Sequence, residues 1–187
     1  MSELLAQRDA YLREFEARVA AADRGETAVA LERTAFFPGG GGQPCDLGWL
    51  GELEVVRVGR REGEIWHWLQ ARAGGPAPSL PEVGSTVQGR LDWPRRYRLM
   101  RTHTAFHILC GVVFRDYQAQ VTGGNMEELA GRMDFEFETL RAELVHEIEE
   151  KVNREVAAAR PVRVRVLPRE EAFRIPDLIR TKINLLP

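Results

Sequence analysis

The first ninety residues alternate apolar and polar positions with the period of two that is typical of half-buried β-strands. Phe15, Ala17 and Val19, for example, are separated by charged Glu16 and Arg18. Short strands of this kind are predicted at 15–19, 28–31, 53–58, 64–69 and 83–91, with a turn at 59–63. Many short strands with glycine-rich turns predict a small β-barrel or curled sheet over residues 1–91. Spacing alone also allows a helix over residues 4–22.

The pattern changes near residue 91. Asp92 is a suitable N-cap, and from Trp93 onward apolar residues recur at helical spacing, which predicts a largely buried helix. The residues beyond it predict a turn at 123–125, a strand at 132–138, a helix at 140–160, a strand at 162–166 and a short helix at 168–173. We therefore expect an α+β domain over residues 92–187, with an antiparallel sheet and helices on one face.

Composition narrows the class of protein. The 187 residues carry a net charge of −2, so bulk attraction to nucleic acid is not the organising feature. Charge is uneven, because residues 93–116 hold five arginines and one acidic residue, whereas 136–155 hold seven glutamates and three basic residues. Two cysteines exclude a disulfide scaffold and favour a cytoplasmic location. No apolar run approaches the ~20 residues that span a bilayer, and no signal peptide is readable, so no membrane association is expected.

Two histidines four residues apart are the sharpest local feature. His103 and His107 fall on one face of the predicted helix, about one turn apart, where two imidazoles can bind one zinc ion. The alternative is a pair of histidines satisfied inside a core. Zinc takes three or four protein ligands, and no other histidine or cysteine has a spacing that marks it as a partner.

A glycine-rich loop is the other strong signal. Residues 36–44, FFPGGGGQP, contain four consecutive glycines, which permit unusual backbone angles and close approach of a ligand. The loop is neither a Walker A motif nor a dinucleotide fingerprint, because no Gly-Lys-Ser/Thr follows and no helix begins there. Gln43 offers a donor and an acceptor. The Thr34 hydroxyl before the loop either binds a polar ligand or belongs to an ordinary strand residue.

Arginines precede the histidines on the predicted helix. Arg95, Arg96, Arg98 and Arg101 would contact phosphates if they line a cleft. A solvated helix face is the alternative explanation of the same run.

Taken together, these residues resemble a known family, that of the alanyl-tRNA synthetase editing domain and its stand-alone AlaX relatives. The glycine-rich stretch 34–48 is similar to the family's Thr-x-Phe-Tyr-Pro…Gly-Gly-Gln…Asp-x-Gly pattern. The segment 101–109 is similar to its His-Thr-Ala-x-His zinc motif, and segments 131–135 and 179–182 also fit. The resemblance covers nearly the whole chain in the family's order.

The resemblance implies a small β-barrel followed by an α+β editing domain. It also implies hydrolysis of the ester that joins a wrong amino acid, typically serine and sometimes glycine, to tRNA(Ala). In this interpretation His103 and His107 hold zinc, while Gln43 and the amides of Gly41 and Gly42 orient the ester and the attacking water. Thr34 then recognises the serine hydroxyl. The residues expected at the tRNA acceptor end are Arg95, Arg98, Arg180 and Lys182.

One departure from the family keeps two other functions open. The family supplies further zinc ligands after the Arg-Thr-Lys segment, and this sequence has no such motif before Pro187, so we expect that it is cut short. If it is not, the chain is a tRNA-binding module with an incomplete catalytic site. A third alternative is a zinc hydrolase that acts on a small ester or amide.

Overall fold

The computed structural model describes residues 2–72, 79–176, 178 and 180–181. The chain divides into two compact units, called here the first and the second unit. The first comprises Met1–Met100 with Glu127–Leu129, and the second comprises Arg101–Met126 with Ala130–Pro187. The predicted domains, 1–91 and 92–187, assign residues 92–100 and 127–129 differently, and that division stays a prediction.

The first unit is a closed β-barrel. Its elements are β1 (Glu3–Leu4), a 3-10 turn (Leu5–Gln7), β2 (Glu14–Asp23), β3 (Ala28–Leu31), β4 (Arg33–Thr34), β5 (Gly48–Leu50), β6 (Leu53–Arg61), β7 (Glu64–Gln70) and β8 (Thr86–Leu91). Six strands close the barrel in the order β2-β3-β7-β6-β5-β8, and β1 pairs with β4 outside it. This architecture, followed by the helices and strands of the second unit, confirms the predicted fold class.

The apolar side chains that alternate along β2 line one side of the barrel core. Phe15, Ala17 and Val19 are buried while the residues between them are exposed, so the strand prediction is confirmed over the helical alternative. Phe15 pairs with Gly89 of β8. A Cβ at Gly89 would lie 2.3 Å from the Phe15 ring, so only glycine lets this ring enter the core.

A single long helix, α1 (Trp93–Tyr117), follows the barrel. Asp92 caps it as predicted, because its Oδ1 accepts the N–H of Arg95 at 3.2 Å. Leu99, Val112 and Val113 are buried. The prediction of a largely buried helix is wrong for its middle, where residues 103–105 are all exposed. Apolar spacing on this helix is interrupted by polar and small residues, which need no burial.

The second unit continues with β9 (Val121–Glu127), β10 (Ala130–Phe135), α2 (Ala142–Ala157) and α3 (Arg169–Ala172). Val113, Ala119 and Ile148 form its core with half-buried aromatic rings such as Phe135 and Phe137. The helix predicted at 140–160 and the short helix at 168–173 are confirmed within a few residues.

Two local predictions in this unit are wrong. Gly123, Gly124 and Asn125 lie inside β9 and form no turn. A Cβ at Gly124 would approach the Arg132 carbonyl oxygen to 2.7 Å, so this glycine permits close strand approach.

The second wrong prediction is the strand at 162–166, which the structure leaves outside regular structure. Val162, Val164 and Val166 are 81%, 78% and 90% exposed. Alternation makes a strand only where another strand pairs with it, and no strand in the described ranges does so.

Candidate active site

The four glycines form a tight hairpin in the first unit. Gly40 and Gln43 exchange two backbone hydrogen bonds, of 3.0 and 3.1 Å, across a two-residue turn. Gly41 and Gly42 in that turn have φ of +61° and +82°, as a type I′ turn requires. No atom lies within 4 Å of a Cβ built on Gly41. Glycine is therefore required here by backbone conformation and not by crowding.

The hairpin leaves polar groups available to a ligand. Gly41 and Gly42 are exposed, and Gln43 is half-buried. Neither the N–H groups of the two glycines nor the Gln43 carboxamide hydrogen-bonds any residue in the described part of the chain. The two glycine N–H groups, together with the two N–H donors and the acceptor oxygen of the carboxamide, are therefore available on a backbone of fixed shape.

A buried ion pair fixes the stem of this hairpin. The Asp46 backbone N–H donates to the Phe37 carbonyl at 2.9 Å, and the Phe37 N–H donates to Asp46 Oδ2 at 2.6 Å. Arg96 Nε donates to Asp46 Oδ1 at 2.9 Å, and its Nη2 contacts Oδ2. The side chains are only 5% and 1% exposed. The same guanidinium donates to the carbonyls of Ala35 at 2.6 Å and Ala10 at 3.0 Å. The Asp46–Arg96 pair with these hydrogen bonds is called here the stem clamp.

Arg95 adds a second support. Its Nη2 donates to the Cys45 carbonyl at 3.2 Å, and its Nη1 pairs with Glu128 at 2.7 Å. Arg98 pairs with the same carboxylate at 3.1 Å. Hydrogen bonds from Arg95 and then Arg98 lower the pKa of Glu128. Arg95 and Arg98, two of the four residues that the sequence assigns to tRNA, are thus already ion-paired.

Thr34 lies in a buried chain of hydrogen bonds. His67 Nδ1 lies 3.2 Å from the Val29 carbonyl, which only accepts, so this nitrogen carries the proton. Burial lowers the pKa of His67 to about 4, which leaves Nε2 as an acceptor. The Thr34 hydroxyl, 2.9 Å from Nε2, donates to it and accepts the Phe36 N–H at 3.1 Å. Thr34 is fully buried, with one lone pair uncommitted.

The predicted metal ligands lie in the second unit. Nε2 of His103 and Nε2 of His107 are 3.0 Å apart, and the rings stack with centroids 4.8 Å apart. Desolvation, followed by the charge of His107, lowers the pKa of His103. Two converging imidazole nitrogens suit two positions of a tetrahedral zinc ion. Within residues 2–72, 79–176, 178 and 180–181, no group of three or more histidine, cysteine or acidic side chains forms a metal site.

An open cavity of about 760 Å³ lies beside this pair within the second unit. His107, Gly111 and Arg180 contribute to its lining. The Arg180 guanidinium lies 5.7 Å from the centre of the Phe114 ring, while its backbone carbonyl accepts the Val121 N–H at 3.1 Å. Lys182, the remaining predicted contact to tRNA, lies outside the described residues.

Neither cysteine has the features of a nucleophile. Cys45 Sγ accepts the Val58 N–H at 3.5 Å, and its side chain packs against the barrel core. Desolvation raises the pKa of the Cys110 thiol, an effect that Arg180 partly offsets. Both residues therefore serve packing.

Sequence reasoning missed the supporting roles of three residues: Asp46, Arg96 and His67. Arg96 was expected to contact phosphate or to lie on a solvated helix face, but it is buried and paired with Asp46. The burial of His67 could have been predicted, because it occupies an inward position of β7 between Ile65 and Leu69. Asp46 and Arg96 are 50 residues apart, and nothing in the sequence pairs them.

Comparisons of this sequence with known proteins identify its family. The chain is 39% identical to the alanyl-tRNA editing protein AlaX-M of Methanosarcina acetivorans over 178 residues, which cover 92% of this chain and 72% of that protein. It is 38% identical to AlaX-M of Saccharolobus solfataricus over 96% of this chain and 75% of that protein. It is also 39% identical to the alanine–tRNA ligase of Pyrobaculum neutrophilum over 88% of this chain and 18% of the ligase. No protein-family model matches.

The chain belongs to the family of AlaX-type alanyl-tRNA editing proteins, which confirms the resemblance seen in its motifs. No helix in the described part of the chain is long and apolar enough to span a membrane.

Proposed function

We propose that this protein is a trans-editing deacylase that hydrolyses the ester of mischarged tRNA(Ala), with Ser-tRNA(Ala) as main substrate and Gly-tRNA(Ala) as a second. The observation that carries the proposal is the clamped glycine hairpin, with unpaired Gln43, Gly41 and Gly42 groups, in a chain whose relatives are named alanyl-tRNA editing proteins. Such an enzyme is needed because a synthetic site that accepts alanine rejects near-isosteres weakly. Two free thiols suit a cytoplasmic location.

The hairpin supplies donors for the chemical step. Attack of water on the ester carbonyl places negative charge on the carbonyl oxygen, and the N–H groups of Gly41 and Gly42 are suited to stabilise it. The Gln43 carboxamide both donates and accepts, so it can orient the attacking water against the ester. Because the stem clamp fixes the backbone beforehand, little reorganisation is needed as this charge develops.

Thr34 is the candidate for recognition of serine. Its oxygen retains one lone pair after the contacts with His67 and Phe36. Because Thr34 is fully buried, a serine hydroxyl would donate to that lone pair only when the residues that cover it move on binding. Alanine has no such donor. The Thr34→Val variant separates substrate recognition from a purely internal role.

His103 and His107 would hold the zinc ion, since their Nε2 atoms converge. When bound, zinc would polarise an oxygen of the substrate or of a water molecule. For the acceptor end of tRNA we retain Arg95, Arg98, Arg180 and Lys182 as candidates, the first two with their charge partly neutralised by Glu128.

The second candidate is a tRNA-binding module that does not hydrolyse its ligand. It is favoured by the donor set, because only two metal donors converge among the described residues. A hydrolase of small esters is the third candidate.

The test is single-turnover deacylation of Ser-, Gly- and Ala-tRNA(Ala), with a free seryl ester as a further substrate. We expect cleavage of the first two tRNA esters, and loss of turnover in Gln43→Ala with an unchanged circular dichroism spectrum. Binding of tRNA without cleavage would favour the module. Equal cleavage of the free ester would favour the small-ester hydrolase.

A further inference from the structure

Four side chains of the first unit form a connected aromatic and cationic surface, called here the aromatic ladder. The rings of Tyr11 and Trp93 have centroids 5.7 Å apart, and those of Trp93 and Tyr97 are 5.8 Å apart. The Arg13 guanidinium lies over Trp93 at 4.4 Å. Trp93 and Tyr97 are four residues apart on the first turns of α1, so one helix face holds two of the three rings.

The ladder presents its rings to solvent. Tyr11 is 61% exposed and Tyr97 is 44% exposed, which is unusual for large aromatic side chains in a unit with a well-filled barrel core. The ring planes are tilted by 47° and 32° relative to one another, so the three rings do not form a parallel stack. The exposed surface of Tyr11 and Tyr97 is available for a flat partner to stack on.

The charge at the ladder favours an anionic partner. The Arg13 guanidinium covers one ring and pairs with no carboxylate in the described ranges, so its N–H groups are free to donate to phosphate. The neighbouring carboxylates of Asp9 and Asp92 each accept a backbone N–H. Flat stacking surfaces beside an unneutralised arginine are the combination with which proteins bind unpaired nucleotides.

The ladder is also connected to the candidate catalytic hairpin. Arg96, which clamps the hairpin stem, donates to the carbonyl of Ala10, the residue before Tyr11. Arg96 also precedes Tyr97 in α1. Substrate held on the ladder would thus lie on the same rigid support as Gln43.

We propose that the aromatic ladder binds the unpaired 3′-terminal nucleotides of tRNA, with bases stacked on Tyr11 and Tyr97 and a phosphate on Arg13. The identification of the RNA as tRNA rests on the proposed function. Base-paired stem nucleotides hide their faces in the duplex, so the ladder distinguishes the single-stranded end from the stem.

The experiment uses uncharged RNA, so that binding is measured apart from hydrolysis. One probe is an acceptor-stem hairpin with a four-nucleotide unpaired 3′ tail, and the other is the same hairpin with a blunt end. We expect the wild-type protein to prefer the tailed probe, and Tyr11→Leu and Tyr97→Leu each to weaken tailed binding about tenfold without changing blunt-end binding. Arg13→Gln is expected to reduce the salt dependence of tailed binding by about one phosphate contact.

Arg57→Gln is the matched control. Arg57 also stacks on a tryptophan of the first unit, Trp68, at 3.9 Å, but away from the ladder. The Arg57→Gln variant should retain the preference for the tailed probe and the salt dependence of the wild type. Equal binding of both probes by the wild type, or unchanged tail preference in the tyrosine variants, would overturn the proposal. A change in sedimentation of the tyrosine variants without RNA would assign the ladder to contacts between protein chains instead.

These outcomes separate the ladder from the deacylase. Tail-dependent binding in a protein that cleaves no aminoacyl-tRNA would support the ladder and refute the proposed enzyme. A Tyr11→Leu/Tyr97→Leu variant that cleaves at the wild-type rate and binds the tail normally would refute the ladder and support the proposed enzyme.

Discussion

The two units position their candidate functional groups in different ways. In the first unit, Gln43 is the residue that follows the glycine turn and pairs with Gly40. The stem of this hairpin is held by the buried Asp46–Arg96 pair, and Arg96 also donates to backbone carbonyls of distant segments. In the second unit, the helical spacing of His103 and His107 alone brings their nitrogens together, and both side chains are exposed. Tertiary contacts arrange the first set, whereas local geometry arranges the second. The first set should therefore be sensitive to changes in the surrounding core, and the second should not.

The largest effect is expected at the stem clamp. Asp46→Asn leaves the Arg96 guanidinium buried without its counter-charge, which should lower the free energy of unfolding by about 3 to 5 kcal/mol in urea titrations. The double variant Asp46→Leu/Arg96→Met removes both charges and should recover part of that loss without recovering deacylation. Glu3→Gln, at the exposed Arg8 pair, is the control and should unfold like the wild type. Equal stability of Asp46→Asn and Glu3→Gln would contradict the argument.

The buried histidine of the barrel should make the first unit acid-sensitive. Its pKa of about 4 in the folded state lies below the ordinary value of 6.5, so the unfolded chain binds the proton first as pH falls. The stabilisation is complete above pH ~6.5 and is lost as pH falls towards ~4, with a total of about 3 kcal/mol.

The measurement is the free energy of unfolding at several pH values for the wild type and His67→Gln. Glutamine retains an acceptor for the Thr34 hydroxyl but does not titrate, so its pH profile should be flatter over this range. Parallel profiles would show that other groups cause the acid sensitivity.

The glycine turn allows function to be separated from stability by a matched pair. Gly41 has φ of +61° and Gly51 has φ of +56°, and in both cases no atom lies within 4 Å of an added Cβ. Alanine at either position should therefore cost about 1 kcal/mol of unfolding free energy. Only Gly41→Ala should slow deacylation, because only that turn presents the candidate donors. A similar loss of rate in Gly51→Ala would assign the effect to stability.

The smallest effect on stability is expected at the histidine pair. His103→Ala should change the unfolding free energy by less than about 0.5 kcal/mol, since the side chain is exposed. It should nonetheless abolish the weak zinc binding that we expect from two imidazoles. His146→Ala, at an exposed histidine of α2, should bind zinc like the wild type in metal titrations. Zinc binding retained in His103→Ala would place the ligands elsewhere.

Prediction from sequence succeeded where structure follows from neighbours in the chain. Alternation identified β2, β6 and β7, and Asp92 marked the beginning of α1. It failed at Gly124, because a glycine that admits a partner strand looks the same in sequence as a turn glycine. It failed again at 162–166, since alternation does not supply a pairing strand.

The candidate site was predicted in the same uneven way. The glycine hairpin and the histidine pair are each formed by residues close together in sequence. The glycine motif predicted the first, and the four-residue spacing predicted the second. Asp46 was read only as part of a motif, and Arg96 only as one of several basic residues. Their partnership depends on barrel closure, which brings together residues 50 positions apart. The pattern of residues along the chain does not show which residues 50 positions apart come into contact.

The stem clamp also has a consequence for the order of folding. Arg96 joins residues that are 50, 61 and 86 positions away in the chain. Contacts between such distant segments have the largest loop-closure cost, so they form after the local hairpins and the first turns of the helix. The glycine hairpin therefore acquires its fixed stem in the last stage of barrel assembly. In a refolding experiment, recovery of deacylase activity should follow the slowest barrel phase, and the nascent chain should be unable to hydrolyse an ester until Arg96 has been synthesised and has docked.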